Sequence, residues 1–513
     1  MKTESKLCEL LTASFSRFRD NIALKSLSPT GAVRFELCYA DLLELSLRLV
    51  RYLDSGSGPV LVISNKDLTG YAALIACPFA GRCFVPISAQ TPQDTIRNLA
   101  IEFKISALIG PAQILKSLED LKVTKAFYDP NTSDWSFSKE EDLKESGRFE
   151  QPPLYIALTS GSTSAGKAIA ISEQNFTSYL ENYGSVDDLN EADKVSQIFN
   201  LNFDPAIGEF FYALLRGAQL CVFQNEEVVR FPRLIEQYRL TRWWSTPTTA
   251  RLLLKLLEAA KHQPFMSVEQ SNFVGERLSR AMALRWLAFF PNSKIENTYG
   301  PTETTVVNCR SIFSKDAILR SDDDFLSVGK GFGDNQIEIT GDDALTVARV
   351  GAPGEIVIWG QQVGLGYVDQ IPRGYHGNRF RTGDRGFVDS NGDLHILGRI
   401  QFEFKVLGER FNHEALSTSI CRELGLEQIV LLPHTDLDGQ IIGIDAAIDQ
   451  RKSSQELRVA RKNLASIIQG RFWPTRFFYI VRWPLNQNFK MDVQKLAELI
   501  EKGEVEKLDE AVP

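Results

Sequence analysis

Short apolar runs and helix-periodic stretches alternate along most of this chain, and that alternation confines it to stacked parallel α/β units. "GPVLVISN" reads as a buried strand ending in polar residues, and "TGYAALIACPFAGRCFVPIS" as a helix, a glycine break and another strand. "ISALIG" and "KAFYD" add short strands. Upstream, "GAVRFELCYADLLELSLRLVRYL" passes at Tyr39 from a strand pattern to a helical one, with Leu42, Leu43, Leu45, Leu47 and Leu49 on its apolar face. The rhythm resumes in "AQLCVF", "FPRLIEQYRL", "RWWSTP" and "TTARLLLKLLEAAK". From about Phe325 it gives way to short strands with glycine turns, "GEIVIWG" and "GDLHILGRI", expected to form a small β-barrel-like region or a distorted sheet. The section from Gln401 mixes strands ("EQIVLL", "GIDAAID", "RFFYIV") with helices ("HEALSTSICREL", "SSQELRVARKNLASII", "DVQKLAELIEK"), enough for a compact α+β domain. The expected fold class is therefore α/β. A large N-terminal domain spans Met1 to Ile400, a small α+β domain spans Gln401 to Pro513, and the boundary lies near "LGRIQ".

Composition narrows the partners. With 513 residues, 43% hydrophobic and 24% charged, the chain is long enough for more than one core. A net charge of -8 disfavours an extended nucleic-acid surface, so a small molecule or a protein is the expected partner. Seven cysteines without a CxxC pair fit reduced thiols and a cytosolic setting. No run reaches membrane-spanning length, and His262, His376, His395, His413 and His434 show no zinc-ligand spacing. The charged stretch "SKEEDLKESGRFEQPP" reads as a solvated connection.

It leads into "YIALTSGSTSAGKAIAIS", where small and hydroxylated residues from Thr159 end on one cation, Lys167. Many bare N–H groups and little side-chain bulk suit close approach to a polyphosphate, and equally suit an ordinary hairpin turn.

Four further stretches follow in order: "ENTYGPTETTV", "GEIVIWGQQVGLGY", "FRTGDRGFVDSNGDLHILGRI" and "PLNQNFKMD". Together with the loop they resemble the adenylate-forming enzymes, that is acyl-CoA synthetases, firefly luciferase and the adenylation domains of nonribosomal peptide synthetases, over nearly the whole chain. The resemblance implies ATP and Mg²⁺, with a carboxylate attacking the α-phosphorus to give an acyl-adenylate and pyrophosphate. It implies that Thr159, Ser160, Gly161, Ser162 and Thr163 cradle the β- and γ-phosphates beside Lys167. Asn297 is expected on the adenine edge, Tyr299 on its face, Thr302 near the α-phosphate and Glu303 on magnesium. Asp384 resembles the ribose carboxylate, Arg399 a second ribose or phosphate contact, and Lys490 the lysine that a mobile C-terminal lid brings to the reacting groups.

"NLNFDPAIGEFFYALLRGAQL" resembles the corresponding stretch of amino-acid-activating members, in which Asp204 pairs with the α-ammonium group. A buried aspartate requires a cationic partner to offset its desolvation. The same resemblance carries the side-chain pocket to Pro205, Gly208, Trp244, Asn272, Val274, Thr298, Val306 and Val307. Trp244 is expected to fill volume, Gly208 to open it, Asn272 and Thr298 to offer hydrogen bonds and the valines to form an apolar wall. A small or medium neutral amino acid follows.

Departures from the family pattern fall in two places. In the loop, Ser164, Gly166 and Ala168 replace a glycine, a proline and a glycine. In the small domain, Gln401 stands at the hinge, Leu407 where arginine is common, "FNHE" follows Arg410, and Phe489 precedes Lys490. Adenylation is thus better supported than thioester formation. The resemblance implies a stand-alone ligase that loads the thiol of a separate phosphopantetheinylated carrier protein in a specialised peptide or polyketide pathway, with no membrane and no nucleic acid involved. An acid-CoA ligase and a nucleotide-binding interaction protein that has lost catalysis are the alternatives.

Overall fold

The computed structural model describes residues 5–28, 30–53, 58–129, 132–138, 152–159, 167–341, 347–369, 374–400, 405–406, 409–410, 413–435, 441–465, 468, 472–486 and 491–508. Two compact units emerge, residues 1–338, 357–382 and 389–394 in the first and 339–356, 383–388 and 395–513 in the second.

The first unit is built on two large sheets. Among the described residues, one orders Lys330–Gly331, Cys309–Phe313, Lys294–Tyr299, Gln270–Val274, Arg242–Ser245, Lys194–Gln197, Gln219–Val222, Ile22–Leu27 and Val33–Cys38. The other orders Gly366–Tyr367, Lys167–Ser172, Pro153–Thr159, Phe84–Ser88, Val60–Ser64, Ala107–Ile109, Thr124–Asp129 and Asp134–Ser138. The interior of each is parallel, and antiparallel pairs close the flanks.

Strand alternation sorts the apolar residues between layers. Val60 and Val62 belong to one core and Leu61 and Ile63 to another, because successive side chains face opposite ways. Leu220 and Val222 likewise face the first core, while Cys221 and Phe223 face a third. Helices Leu68–Phe79 and Asp204–Arg216 contribute to the core shared by both sheets and are buried along most of their length. The Asp204 helix starts with Pro205 in its first turn, where a missing N–H costs nothing, and ends at Gly217 in the left-handed conformation, φ 78°.

A five-stranded sheet orders Gln336–Thr340, Gly354–Trp359, Arg379–Val388 and Tyr375–His376, with Leu394–Arg399 on Arg379–Val388. The expected barrel-like region is thus an open, distorted sheet: among the described residues no closed barrel forms. Gly386 shows why the strands lie so close, since a Cβ there would stand 2.6 Å from the His395 carbonyl.

The second unit also holds a four-stranded sheet, Ile429–Thr435, Ile441–Ile448, Arg476–Tyr479 and Glu506–Lys507, with helices His413–Leu424, Ser454–Asn463 and Val493–Glu501. Ile420, Ile444, Leu457 and Phe477 share one of its cores. Among the described residues no helix is long and apolar enough to cross a membrane, and all seven cysteines are free thiols.

Candidate functional site

Several expected site residues converge at one end of the Asp204 helix in the first unit. Asp204 opens the helix and is buried, and Thr302 Oγ1 donates to its Oδ1 at 2.9 Å. Beside it lies a cavity of about 30 Å³ lined by Pro205, Trp244, Asn272, Val274, Thr298, Val306 and Val307, together with Tyr179, Tyr183, Phe199 and Glu209. That volume suits one or two water-sized groups. Three neighbouring parallel strands supply one wall of the cavity, with Trp244 opposite Asn272 and Val274 opposite Thr298 in register.

Gly208 has a different role from the one the sequence suggested. A Cβ at this position would lie 2.7 Å from Val306 Cγ1 and 3.0 Å from the Tyr179 hydroxyl, so its missing side chain admits Val306 rather than opening space. Asn272 and Thr298 are already engaged with their surroundings. Asn272 Nδ2 donates to the Tyr183 hydroxyl at 3.0 Å, Thr298 Oγ1 lies 3.1 Å from Asn272 Oδ1, and the Tyr183 hydroxyl donates to Glu296 Oε1 at 2.8 Å.

Glu296 anchors a charged layer behind this wall. It is fully buried and pairs with Arg310, while Gln270 Nε2 donates to its other oxygen at 2.5 Å. Arg310 also bonds Asp187 at 2.9 Å, and Arg242 bridges Asp188 and Asp193. Burial pushes the Glu296 carboxyl up, and Arg310 pulls it back. Such a fully bonded network fixes the register of the strands that carry Asn272 and Thr298.

The loop after Tyr299 is strained. Thr305 and Val306 take φ of 60° and 65°, a region that β-branched side chains rarely enter. Gln362, itself fully buried, holds them there: Nε2 donates to the carbonyls of Thr305 at 3.1 Å and Val307 at 2.9 Å, and Thr305 Oγ1 donates to the Gln362 carbonyl at 2.7 Å. The sequence reading did not single out Gln362, which belongs to the quoted "GQQVGLGY" but lies 57 positions from its partner Thr305.

Glu303, which follows Thr302, is fixed by two tyrosines. The Tyr367 hydroxyl donates to Glu303 Oε1 at 2.6 Å and the Tyr375 hydroxyl to the Glu303 carbonyl at 3.2 Å. Lys167 Nζ stands 5.6 Å from the centre of the same Tyr367 ring. Thr159 and Lys167 pair at the end of an antiparallel strand pair from which the loop departs. Ser160, Gly161, Ser162 and Thr163 lie outside the described residues, as do Ser164, Gly166, Gln401, Leu407, Phe489 and Lys490. Asn297 is buried, with Nδ2 donating to the carbonyls of Leu326 at 3.1 Å and Ser327 at 2.9 Å, which leaves Oδ1 as its only unpartnered acceptor. Tyr299 ends the same strand and is half-buried. In the second unit Arg399 Nε pairs with Asp384 Oδ1 at 2.8 Å, so the two expected ribose contacts engage each other.

The chain is 26% identical over 468 residues to the D-alanine--D-alanyl carrier protein ligase of Lactococcus lactis, covering 86% of this chain and 89% of that protein. The crystal structure of IdnL7 superposes with a TM-score of 0.80 at 22% identity, covering 98% of this chain and all of that one. The Vibrio cholerae adenylation domain AlmE, solved in complex with glycyl-adenosine-5'-phosphate, matches with a TM-score of 0.67 at 23% identity, covering 98% and 99%. The fold is therefore that of the adenylation domains. The model of the AMP-binding enzymes matches residues 11–368, which include Lys167, Asp204, Asn297, Thr302 and Glu303, and the chain belongs to that family.

Proposed function

We propose that this protein activates a small amino acid as its aminoacyl-adenylate, at the expense of ATP and with release of pyrophosphate, and then passes it to the phosphopantetheine thiol of a separate carrier protein in the cytoplasm. Asp204 carries the reading. A carboxylate 3% exposed, which begins the helix next to the cavity-lining Pro205 and accepts from the Thr302 hydroxyl, is suited to a substrate ammonium group. The cavity of about 30 Å³ favours a small side chain. The Lactococcus lactis relative bears the name of a D-alanine ligase, and the Vibrio cholerae domain was solved with a glycyl adenylate.

Positioning and charge stabilisation suffice for adenylation. Asp204 orients the substrate through its ammonium group and leaves the carboxylate to meet the α-phosphorus. Thr302 bonds Asp204 and shares a short helical turn with Glu303, linking amino-acid and nucleotide recognition. Asn297 Oδ1 is an acceptor suited to the exocyclic amine of adenine, and Tyr299 offers an aromatic face. Thr159 to Thr163 and Lys167 would receive the β- and γ-phosphates, Asp384 and Arg399 the ribose. Among the described residues no cluster of three acidic, histidine or cysteine side chains exists to hold a metal. One carboxylate, Glu303, fits Mg²⁺ that takes its other oxygens from phosphates and water. The ion would neutralise phosphate charge. Lys490, in a lid spanning Gln401 to Pro513, would stabilise the developing charge between carboxylate and α-phosphate.

ATP–pyrophosphate exchange across a panel of amino acids of both chiralities tests the reading. Exchange with a small amino acid, lost in Asp204→Asn, is expected. Exchange with amine-free acids alone would make the protein an acid-CoA ligase, and none with any acid would indicate a nucleotide-binding protein without this activity.

A further inference from the structure

The turn after strand Val60–Ser64 holds none of the expected site residues, yet it carries two costs at one position. Lys66 is 2% exposed and takes φ 59°, in the left-handed region that residues other than glycine rarely enter. A buried cation on a strained backbone persists only where its surroundings over-determine it. Here Lys66 N–H donates to Ser64 Oγ at 3.1 Å, and Gln224 Nε2 donates to the Lys66 carbonyl at 3.3 Å.

The side chain reaches across to the other large sheet. Lys66 Nζ donates to the carbonyl of Ile198 at 2.7 Å and to that of Phe223. Those carbonyls lie just past Lys194–Gln197 and Gln219–Val222, neighbouring parallel strands, so one ammonium joins the ends of both. Helix Leu68–Phe79 holds the same stretch twice more. The Tyr71 hydroxyl donates to Gln197 Oε1 at 2.8 Å, and Gln197 Nε2 donates to the Phe199 carbonyl at 3.0 Å. Leu201 rests on Gly70, where a Cβ would stand 3.1 Å from Leu201 Cδ1. Phe199 lines the cavity and packs edge-on against Phe203, ring centres 5.5 Å apart, and Phe203 caps the helix that Asp204 begins.

A contact that only held two sheets together would be met at lower cost by apolar side chains. Hydrogen bonds to backbone carbonyls are directional, so they fix where a segment lies along the strand axis as well as how far it stands from the sheet. All these contacts fall on residues 197–201, which lead from the strand into the Asp204 helix. We propose that Lys66 and Tyr71 are positioning residues for Asp204: by holding the segment that enters its helix, they set the place at which the carboxylate meets the substrate's ammonium group. This rests on the amino-acid adenylation reading above.

The test is calorimetric titration of the full-length protein with glycyl- and alanyl-sulfamoyl-adenosine, hydrolytically stable analogues of the adenylate, with alanine in both chiral forms. Beside them stand the acetyl and propionyl counterparts, which lack only the ammonium group. In wild type the best aminoacyl compound should bind about thirtyfold or more tighter than its amine-free counterpart, as a buried charge pair requires. In Lys66→Met, which keeps the stem and removes the donors, that ratio should fall by about tenfold while the amine-free affinity holds, because a small misplacement of Asp204 touches the ammonium contact alone. Tyr71→Phe should move the ratio the same way by a smaller factor. An unchanged ratio in Lys66→Met would overturn the inference. Equal losses for both members of a pair would overturn it too, since Lys66 would then only support the fold. Should Lys66→Met fail to fold, Tyr71→Phe, which keeps its ring, decides by the same criteria. A wild-type protein that does not distinguish the pairs would overturn the amino-acid reading together with this inference.

Discussion

Gln362→Ala separates stability from substrate recognition. Removing the amide strips the Thr305 and Val307 carbonyls of the Nε2 donor they share. Each buried carbonyl left unpaired costs about 1–3 kcal/mol, together about 2–6 kcal/mol. The donors that face the Gln362 oxygen are less affected: Asn335 Nδ2 also donates to Phe332 O at 2.8 Å, and Asn182 Nδ2 to Asp334 Oδ1 at 2.5 Å. Against that cost stands the strain of two β-branched residues at φ 60° and 65°, worth about 1–3 kcal/mol each. Once the clamp is gone the loop can leave that conformation, and the two effects nearly cancel.

The expected outcome is therefore a melting temperature within a few degrees of wild type and a displaced Val306–Val307 wall. A misplacement of about 1 Å in such a wall can lower kcat/KM by about a hundredfold. Exchange assays titrated separately in amino acid and ATP, read beside a thermal melt, make the comparison. The amino-acid kcat/KM should fall by tenfold or more with little change in the KM for ATP. A strongly lowered melting temperature with unchanged amino-acid kinetics would refute the reasoning, since it would mean that the loop holds its strain without Gln362.

Four other outcomes follow from single contacts. Tyr367→Phe removes a 2.6 Å bond to Glu303, worth about 1.5–3 kcal/mol for a charged acceptor, so the Mg²⁺ concentration for half-maximal exchange should rise about tenfold or more. Gly208→Ala forces a methyl to within 2.7 Å of Val306, costing about 1–3 kcal/mol in thermal or urea unfolding and raising the KM for the amino acid. Arg310→Leu leaves Glu296 and Asp187 without their guanidinium and should cost about 3–5 kcal/mol in urea unfolding. For Glu209 the sign follows from burial: its folded pKa is raised above the unfolded value of about 4.3, so folding holds a proton that the unfolded chain releases. Its contribution is full below about pH 4.3 and is lost as pH rises toward the folded pKa. Glu209→Gln should therefore gain stability relative to wild type between pH 5 and pH 8 in denaturant titrations.

What the sequence discloses and what it conceals divide along a physical line. Periodicity is local, so the α/β layering was readable: the alternation in "VLVIS" sends Val60 and Val62 to one core and Leu61 and Ile63 to another. The Tyr39 helix is similar, though its five leucines overstate the buried face, for Leu47 is 41% exposed. Glycine turns signalled the sheet after Phe325 but not whether it closes, because closure depends on pairing between distant strands. The same limit governs the site. Pro205, Trp244 and the two valines line a cavity, as a pocket predicted from motifs should, but the meaning of each side chain depends on who occupies the neighbouring space. Gly208 reads as room until Val306 is placed on it. Asn272 and Thr298 read as free hydrogen-bonding groups until Tyr183 and Glu296 are found behind them. Glu209 stood in plain sight in "DPAIGEFF", and no property of that string says that its carboxylate lacks a partner while an indole N–H 35 positions later in the chain lacks one too. What a pocket residue can offer a ligand depends on which of its groups the fold has already paired, and that is settled by contacts between distant segments, so motifs alone reveal the reaction more readily than the substrate.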